Sequence, residues 1–486
     1  MERKTKSLLA SRRLVTVSNR EPYVISQGPG GSLQYQIRAG GLVTALTPVM
    51  RSCGGVWIAW EPEGDARRQE VPSEAPRFIL RQVPLSEDEV ESYYRGFSNR
   101  ALWPLCHYFV DRCHFAEPNW ASYLDVNQRF AEAVLEEESD QDVIWIHDYH
   151  FCLLPRLVRE RSRRRNPIAF FLHIPFPAEQ VFRILPWRRE ILLGMLGSDL
   201  IGFHTETYVR NFLDACFGVL GADVDLGSGR VRWQNRSIEV RAYPIGIEYS
   251  EFVGLAEGPR CEERIPKLRE NVGAEKIILG VDRLDYSKGI LERLYAIERL
   301  FEFYPHFRGK VTFIQIAVPS RTQVKEYEEL KRLVDETVGR VNGKYSDAGW
   351  APVIYIYRGL PREQLVAYYR AADIAFITPL RDGMNLVAKE YVACHVDDDG
   401  VLVLSEFAGA AAELDGALLV NPYSIQDMAV ALEWALTMAP EERQRRMKTM
   451  RDRVERYDIH AWVESIISDA AELGPPAPVA DAAARG

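Results

Sequence analysis

The segment TPLRDGMNLVAKEY, residues 378–391, contains groups that could bind an anion and a sugar side by side. It follows an apolar run and leads into a predicted helix, so Gly383 would allow a tight turn and close approach of a ligand to the backbone. The N–H groups of Asn385, Leu386 and Val387 would then lie at the helix start without intrahelical acceptors. Because the helix dipole also favours negative charge there, the segment predicts a binding site for a diphosphate.

Charged residues in and near this segment fit the other parts of a nucleotide sugar. Arg283 and Lys288 follow an earlier apolar run and could neutralise the charge that the diphosphate retains. Glu390 lies about a turn and a half into the predicted helix, and its carboxylate, which only accepts hydrogen bonds, suits a pair of ribose hydroxyls. Asp382 precedes the helix and could accept hydroxyls of a sugar attached to the diphosphate. We therefore interpret the segment as a nucleotide-sugar site.

The elements that would position these residues form a repeated βα pattern. Short apolar runs alternate with helical patterns, and continuous runs of Val, Ile and Leu are typical of parallel strands that helices cover on both faces. The strands predicted in the first half are LVTVSNR, GVWIAW, FILRQV, VIWIHDYH, IAFFLHIPFP, DLIGFHTE and IEVRAYPIGIE. Those predicted in the second half are IILGVDRLDYSKG, VTFIQIAVPSR, PVIYIYRGL, DIAFITPLRDG, VLVLSEFAG and ALLVNPY. The expected fold class is α/β.

The chain is long enough for two such sheets. Its 486 residues exceed the size that one hydrophobic core normally supports, and 47% of them are hydrophobic. The sequence turns polar after YPIGIEYSEF, and we expect the domain boundary near that point. The predicted parts are an N-terminal domain at 1–248, a C-terminal domain at 249–457, a terminal helix at 458–474 that packs back on the N-terminal domain, and a disordered Pro/Ala tail at 475–486.

Polar residues are concentrated at the ends of the predicted strands, where open α/β sheets bind ligands. In the second half, the strand ends carry Arg283, Lys288, Arg321, Arg381, Asp382, Asn385, Glu390, Ser405 and Glu406. In the first half, they carry Arg20, Trp60, Asp148, His150 and His173. Two such sets of strand ends, one of them rich in Arg and Lys, predict a cleft for a phosphorylated ligand with many hydroxyl groups.

The composition narrows the classes of function. A net charge of −9 argues against nucleic acid as a partner, since binding to the phosphate backbone usually shows as a basic surface. No stretch approaches the ~20 apolar residues of a membrane span, and the start MERKTKSLLASRR lacks a signal core, so we expect a cytoplasmic protein. The seven cysteines lack CxxC spacing, which favours reduced thiols over a zinc site. His147 and His150 could bind a metal ion, but histidines at a strand end are more often structural.

Several motifs, in the same order along the chain, resemble those of a known enzyme family. They are VSNR with a later GGL, WIHDYH, FLHIPFP, RLDYSKG, TPLRDGMNLVAKEY and VLVLSEFAGAAAEL. From about Arg13 to about Ser468 the chain resembles the trehalose-6-phosphate synthases, which are retaining glycosyltransferases of the GT-B fold. The resemblance implies two Rossmann-like, doubly wound parallel-sheet domains that face each other across a cleft. It also implies transfer of glucose from UDP-glucose to glucose-6-phosphate, giving α,α-trehalose-6-phosphate and UDP with retention at the anomeric carbon.

The same resemblance implies roles for individual residues. The donor-binding residues would be Gly41, Arg283, Lys288, Leu360, Asp382, Gly383, Met384, Asn385, Leu386, Val387 and Glu390. The acceptor-binding residues would be Arg20, Trp60, Tyr94, Trp103, Asp148 and Arg321, with Arg20 and Arg321 as candidates for the acceptor phosphate. The catalytic residues would be His173, Asp382, Arg283 and Lys288.

The resemblance further implies a mechanism without a protein nucleophile. The acceptor would attack on the face from which the diphosphate leaves, while Arg283, Lys288 and the helix amides stabilise the leaving group. No cofactor and no metal ion are expected, because these groups could replace a divalent ion. Asp382 is the candidate nucleophile for the alternative, a double displacement like that of retaining glycosidases. The chain ends soon after the second sheet, so we expect a separate trehalose-6-phosphate phosphatase as functional partner; the chain could also form a homo-oligomer.

Other activities remain open at this point. REPY at residues 20–23 and the long glycine-rich loop after it resemble glucosylglycerol-phosphate synthase, whose acceptor is glycerol-3-phosphate. The cyclitol-joining pseudo-glycosyltransferases share the fold, although RLDYSKG and PLRDGMNLVAKE are both intact here. A catalytically silent regulatory protein would have lost charged donor-site residues, and all of them are present. A phosphorylase-like protein would need a much longer chain. The donor base could be that of UDP, GDP or ADP.

Overall fold

A computed structural model describes residues 12–27, 33–37, 46, 50, 54–62, 68–71, 78–320 and 325–473. Within these residues the chain forms two compact units. The first consists of the chain up to Pro244 together with the residues from His460 onward, and the second runs from Ile245 to Ile459. The division after Pro244 lies slightly before the one predicted after residue 248. The tail predicted at 475–486 lies outside the described residues.

The first unit is built around a sheet whose central strands are parallel. Its strands are β1 Leu14–Arg20, β2 Tyr23–Gln27, β3 Leu33–Ile37, β4 Gly55–Pro62, β5 Arg68–Val71, β6 Phe78–Leu85, β7 Val143–His147, β8 Ile168–Phe171, β9 Leu200–Phe203, β10 Asp223–Asp225, β11 Arg230–Trp233 and β12 Arg236–Ala242. Strands β2 and β3 form a separate antiparallel hairpin. The other strands form one sheet in the order β10-β11-β12-β9-β8-β7-β1-β4-β6-β5.

The strand order of this sheet reverses between β1 and β7. From β1, the parallel strands continue through β4 and β6 on one side and through β7, β8 and β9 on the other. Ligands of open α/β sheets bind at such a switch point, beyond the carboxyl ends of the strands. Arg20 ends β1 and Asp148 follows β7, so two of the predicted acceptor residues lie at this switch point.

Helices and a buried aromatic core complete the first unit. Among residues 78–244, its α-helices are α1 Glu87–Glu89, α2 Trp103–Cys106, α3 Glu117–Glu137, α4 Leu154–Arg161, α5 Glu179–Phe182, α6 Arg188–Met195 and α7 Glu206–Ala215. A π-helical stretch, Val90–Leu102, joins α1 to α2 and carries Tyr94. Trp57 and Trp145, on two strands of the sheet, are fully buried. Strands β7 and β8 are buried along their whole length, as expected for parallel strands inside an α/β layer structure.

The second unit contains a six-stranded, entirely parallel sheet. Its strands are β13 Lys276–Arg283, β14 Val311–Val318, β15 Val353–Ile356, β16 Ile374–Ile377, β17 Val401–Ser405 and β18 Leu418–Val420. Its helices are α8 Tyr249–Ala256, α9 Pro259–Val272, α10 Ile290–Phe303, α11 Lys325–Tyr345, α12 Arg362–Ala371, α13 Leu386–Cys394, α14 Ile425–Thr437 and α15 Pro440–Arg456. The strand order is β15-β14-β13-β16-β17-β18, which is the Rossmann order with its switch point between β13 and β16. Arg283 ends β13, and the segment 378–391 follows β16.

The last described helix, α16 Ile459–Glu472, packs on the first unit. Trp462 Nε1 donates a hydrogen bond to the carbonyl of Tyr243 over 3.1 Å, and its ring lies 5.1 Å from the ring of Trp145. The hydroxyl of Tyr243 donates to Asp469 over 2.5 Å. This helix therefore continues the first unit after the chain has formed the second.

The predicted α/β class with two parallel sheets is confirmed, and each strand predicted in the two halves is present, most of them shorter than the predicted run. The hairpin β2–β3 and the antiparallel strands β5, β10 and β11 were not predicted, because short antiparallel strands at sheet edges lack continuous apolar runs. Among the described helices, none is long and apolar enough to cross a membrane. The six described cysteines are free thiols, and all except Cys113 are buried.

Candidate active site

Three loops at the carboxyl ends of β13, β16 and β17 interlock in the second unit. The loop after β16 is held on one side because the N–H of Leu380 donates to the carbonyl of Ser287 over 2.8 Å. On its other side, the N–H of Ala410 donates to the carbonyl of Met384 over 2.8 Å. Backbone hydrogen bonds to both neighbouring strand-end loops therefore fix the conformation of residues 378–385.

Two glycines allow the loops to approach this closely. Gly289 has a φ of 65°, in the left-handed region, and a Cβ at this position would overlap the carbonyl oxygen of Thr378. A Cβ on Gly409 would overlap the carbonyl oxygen of Gly383. A larger residue at either position would push the strand-end loops apart. These contacts explain the glycines that end the RLDYSKG motif and follow SEFA.

An ion pair joins two of the predicted donor-binding residues. Lys288 Nζ lies 2.7 Å from Asp382 Oδ2, and the two side chains are only 10% and 14% exposed. Asn385 Nδ2 donates to the same carboxylate oxygen over 3.0 Å. Asn385 Oδ1 in turn accepts from the N–H of Ala388 over 3.2 Å and so caps α13, with a φ of 76° that asparagine tolerates better than most residues. Lys288, Asp382 and the start of α13 are thus one hydrogen-bonded cluster.

A fully buried arginine, Arg293, which the sequence did not single out, contacts the backbone next to this cluster. Arg293 donates to the carbonyls of Lys288 and Phe376, each at 2.9 Å. It also forms a buried ion pair with Asp282. Asp282 directly precedes Arg283, whose side chain is exposed at the end of β13. The buried guanidinium therefore connects the end of β13, the turn that follows it and β16.

Glu390 lies further along α13 and contacts a residue from a different helix. The hydroxyl of Tyr369, on α12, donates to Glu390 Oε2 over 2.7 Å. Burial raises the pKa of Glu390, and the hydrogen bond from Tyr369 opposes that rise. The neighbouring Lys389 is buried, and its Nζ donates to Glu413 Oε2 and to the carbonyl of Ile245 at 2.6 and 2.8 Å. Lys389 therefore has a structural role, although it stands between predicted donor-binding residues.

The structure brings most of the predicted donor-binding residues together. Residues 382–387 and the Lys288 side chain form the cluster described above. Met384 is buried, so its side chain is not available to a ligand. Leu360 is half-buried after β15, a strand that β14 separates from β13. Gly41 lies outside the described residues.

Aromatic rings surround Arg20 at the switch point of the first unit. Arg20 is exposed, and its Nη2 donates to the hydroxyl of Tyr94 over 3.0 Å. The centroid of the Tyr94 ring lies 6.3 Å from that of Trp60 and 5.8 Å from that of His150, on which it stacks. Strand β4 positions Trp60, because Trp60 pairs in register with Arg20 of β1. Three predicted acceptor-binding residues thus lie together.

Asp148 has a strained backbone at the end of β7. Its φ of 76° and ψ of 168° fall in a region that residues other than glycine rarely adopt, at a cost of about 1–3 kcal/mol. The N–H of Asp148 donates to the carbonyl of Phe171 over 2.7 Å, and its Oδ1 accepts from the N–H of His173 over 3.2 Å. The adjoining strand β8 and its following residues therefore hold the backbone and carboxylate of Asp148. Strain of this kind is common at functional sites.

Three histidines follow three adjacent strands of the first sheet. His147 ends β7, His173 follows β8 and His204 follows β9. His147 Nδ1 lies 3.1 Å from His173 Nε2, and the rings of His173 and His204 are 5.5 Å apart. Burial lowers the pKa of His147 to about 3, and burial with the neighbouring imidazoles lowers the pKa of His173 well below its usual value. Both rings are therefore neutral at neutral pH.

Sequence reasoning missed His204, although its position directly after a buried strand is the same signal that identified His173. Within the ranges that the structure describes, no group of three or more His, Cys, Asp or Glu side chains is arranged to hold a metal ion.

Trp103 is connected to the cluster around Arg20 through Tyr149 and Asn99. Trp103 is 5% exposed, and its ring lies 5.8 Å from that of Tyr149. Asn99 connects this region to Tyr94, because it accepts from the hydroxyl of Tyr149 over 3.0 Å and donates to the carbonyl of Tyr94 over 2.8 Å. Trp103 is thus linked to the predicted acceptor residues through other side chains. Arg321 lies outside the described residues.

Comparison with known proteins gives a consistent result along the chain. The model of the family described as glycosyltransferase family 20 matches residues 12–472. The bifunctional trehalose-6-phosphate synthase/phosphatase of Thermoproteus tenax is 43% identical over 462 residues, which cover 93% of this chain and 62% of that relative. The chain thus spans less than two thirds of the length of this relative.

Solved structures match over nearly the whole chain. The structure described as "Trehalose-6-phosphate from E. coli bound with UDP-2-fluoro glucose" is 39% identical, with a TM-score of 0.87 and coverage of 95% of this chain and 100% of that one. The α,α-trehalose-phosphate synthase (UDP-forming) of Burkholderia xenovorans, in complex with glucose-6-phosphate, is 37% identical, with a TM-score of 0.86 and coverage of 94% and 99%.

Proposed function

The chain belongs to glycosyltransferase family 20, and from this membership we propose that it transfers glucose from UDP-glucose to glucose-6-phosphate. The products are α,α-trehalose-6-phosphate and UDP, with retention at the anomeric carbon. The observation that carries the proposal is the cluster of Lys288, Asp382 and the start of α13, which combines cationic, acidic and amide groups suited to a sugar diphosphate. The relatives bound with UDP-2-fluoro glucose and with glucose-6-phosphate support the same pair of substrates.

In the proposed donor site, each group meets one part of UDP-glucose. The amides at the start of α13 and the ammonium of Lys288 bind the diphosphate, and Arg283 adds a second cation. Asp382 accepts hydroxyls of the glucose that is transferred. Its carboxylate does not repel the diphosphate, because Lys288 lies 2.7 Å away and neutralises it. Glu390 accepts hydroxyls of the ribose.

In the proposed acceptor site, Arg20 binds the phosphate of glucose-6-phosphate. A guanidinium can donate two parallel hydrogen bonds to a phosphate, and Arg20 is exposed at the end of β1. The hydroxyl of Tyr94, 3.0 Å from the guanidinium, orients it. Asp148 accepts a sugar hydroxyl, because its carboxylate is held at the neighbouring strand end. Trp60 packs beside Tyr94 and provides an apolar face for the sugar ring.

The proposed transfer step needs no covalent intermediate on the protein. The bond between the anomeric carbon and the β-phosphate oxygen breaks while the acceptor hydroxyl oxygen bonds to the same carbon on the same face. The proton of that hydroxyl passes to the departing β-phosphate oxygen. Lys288, Arg283 and the helix amides stabilise the negative charge that develops on the leaving diphosphate, which is usually the largest catalytic contribution. The neutral imidazole of His173 hydrogen-bonds to the transferred glucose without adding positive charge.

The proposal extends to the setting of the reaction. A separate phosphatase would consume the phosphorylated disaccharide, and the synthase/phosphatase of Thermoproteus tenax, of which this chain covers 62%, supports that order of steps. The free, mostly buried thiols of the described cysteines support a cytoplasmic location. Self-association is proposed as well, and the mass of the protein in solution by light scattering tests it.

Release of UDP by the purified protein tests the proposed activity. UDP-glucose is supplied with glucose-6-phosphate, with glycerol-3-phosphate or without acceptor, and GDP-glucose and ADP-glucose replace the donor in parallel reactions. We expect nucleotide release only from UDP-glucose with glucose-6-phosphate, and trehalose after phosphatase treatment of the product. Release with glycerol-3-phosphate alone would assign a different acceptor, and silence in all reactions would contradict the proposal.

A further inference from the structure

We propose that Tyr369 is a positioning residue that orients Glu390 toward the donor ribose and thereby sets how well the site distinguishes a ribonucleotide from a deoxyribonucleotide. This inference rests on the proposed function, since it concerns the nucleotide part of the donor. Glu390 is the residue that would touch the ribose. Tyr369 would act only through Glu390.

The position of Tyr369 is fixed by its surroundings. Its side chain is essentially buried, with the residue 1% exposed. Its ring packs edge-on against that of Tyr391, with the centroids 6.5 Å apart, and its carbonyl oxygen lies 3.0 Å from His395 Nε2. A hydroxyl on such an immobile ring is a directional donor. The hydroxyl lies 2.7 Å from Glu390 Oε2, so it holds one defined oxygen of the carboxylate.

This hydrogen bond holds one carboxylate oxygen of Glu390 and leaves the other available for the ribose. A free glutamate loses rotamer entropy when it binds a ligand, and Glu390 has lost part of that entropy already because Oε2 is held by Tyr369. Oε1 and the remaining lone pair of Oε2 stay available as acceptors. Two neighbouring ribose hydroxyls offer two donors to one carboxylate, and a deoxyribose offers one fewer.

The groups around Glu390 affect its ionisation, and the hydroxyl of Tyr369 is one of them. Burial raises the pKa of Glu390, and Glu251 raises it further. Tyr369 and Arg362 lower it, and the thiol of Cys394 also interacts with Glu390. A protonated Glu390 would donate where the ribose needs an acceptor. The hydrogen bond from Tyr369 therefore favours the ionised form of Glu390, which recognises ribose.

The test is the affinity of the full-length protein for UDP and for 2′-deoxy-UDP, measured by calorimetry for the wild type, Tyr369→Phe and Tyr391→Phe. Tyr391 is the matched control, because it is a buried tyrosine beside Glu390 whose hydroxyl donates elsewhere, to the carbonyl of Asp373 over 3.2 Å. We expect the wild type and Tyr391→Phe to prefer UDP over 2′-deoxy-UDP. Tyr369→Phe should bind UDP about tenfold more weakly and 2′-deoxy-UDP almost unchanged.

If Tyr369 has a purely structural role, Tyr369→Phe should lose the same amount of affinity for UDP and for 2′-deoxy-UDP. That result would overturn the inference. An unchanged preference for UDP in Tyr369→Phe would overturn it as well. As a second readout, the UDP affinity of Tyr369→Phe should begin to fall at a higher pH than that of the wild type as the solution is acidified, since Glu390 then protonates more easily. Failure of the wild type to bind UDP at all would instead reject the proposed donor, and the inference with it.

Discussion

The ammonium of Lys288 lies 2.7 Å from the carboxylate of Asp382, although the two residues belong to loops that follow different strands. Strands β13 and β16 are neighbours at the switch point of the second sheet, so their carboxyl ends bring the two loops together. The pair places a positive charge where a diphosphate would bind and a negative charge where the attached sugar would lie. The proposed donor site depends on this arrangement.

Replacement of Lys288 by Ala should weaken the binding of UDP about 10- to 100-fold, because a charged hydrogen bond is lost and the carboxylate of Asp382 is left to repel the diphosphate. Calorimetric titration with UDP measures the change. Lys331→Ala is the control, since Lys331 forms an ion pair with Asp335 on the surface of α11. Equal UDP affinity in Lys288→Ala and the wild type would remove Lys288 from the diphosphate site.

Replacement of Arg20 by Ala should raise the KM for glucose-6-phosphate at least tenfold and leave the KM for UDP-glucose almost unchanged. The reason is that the guanidinium, held 3.0 Å from the Tyr94 hydroxyl, is proposed to bind the acceptor phosphate and no part of the donor. Steady-state kinetics with each substrate varied in turn separates the two constants. Arg95→Ala serves for comparison, because Arg95 pairs with Glu87 and Glu91. A defect confined to the donor would contradict the acceptor role.

Asp148→Gly should be more stable than Asp148→Ala by about 1 kcal/mol. Both variants lack the carboxylate that accepts from His173, but only glycine adopts the φ of 76° and ψ of 168° without strain. Both should also bind glucose-6-phosphate more weakly than the wild type. Chemical denaturation of the two variants gives the difference in the free energy of unfolding. Equal stability, or greater stability of the alanine variant, would show that the backbone at Asp148 is not strained.

Burial of His147 should make the protein sensitive to acid. Its folded-state pKa of about 3 lies below the value near 6.5 expected in the unfolded chain, so the unfolded state binds more protons between these values. The stability that His147 contributes is present above pH 6.5 and is lost as the pH falls, by about 2 kcal/mol at pH 5.

The free energy of unfolding at pH 7 and at pH 5 tests this sign. His147→Gln should lose less stability between the two values than the wild type does, whereas replacement of His306, which lies on the surface, should leave the pH dependence as it is. If the free energy of unfolding falls by the same amount in His147→Gln and in the wild type between pH 7 and pH 5, His147 is not a buried neutral imidazole.

Removal of divalent ions should leave the activity unchanged, because Arg283, Lys288 and the amides of α13 are proposed to carry the charge of the leaving diphosphate. The rate of UDP release is measured after exhaustive treatment with EDTA and dialysis into metal-free buffer. A known magnesium-dependent glycosyltransferase, treated in the same way, shows that the chelation was complete. Loss of activity that magnesium or manganese restores would contradict this part of the mechanism.

Residues that directly follow buried strands were accessible from the sequence. Arg20, Asp148, His173 and Arg283 were identified because a βα repeat places polar residues at the carboxyl ends of parallel strands. The same reasoning should have included His204, which follows β9 in the same way. A tight turn before α13 was also predicted from Gly383, whereas the positive φ of 76° at Asn385 was not singled out from the sequence.

Contacts between elements that are distant in the sequence could not be predicted from the sequence. Tyr369 and Glu390 lie on different helices, and no periodicity in either helix indicates that the phenol meets the carboxylate. The sequence around Arg293 is that of an ordinary helix and does not indicate its three contacts, with Lys288, Phe376 and Asp282. The strain at Asp148 depends on the hydrogen bonds from the adjoining strand, which local preference does not encode.

The configuration of the product tests the proposed transfer of glucose with retention. The protein is supplied with UDP-glucose labelled with carbon-13 in the sugar and with unlabelled glucose-6-phosphate, and the product is examined by NMR. We expect a phosphorylated disaccharide whose labelled anomeric carbon has the α configuration and is joined through oxygen to the anomeric carbon of the second sugar. Label in a β-linked disaccharide, in a glycerol glucoside or only in free glucose would contradict it.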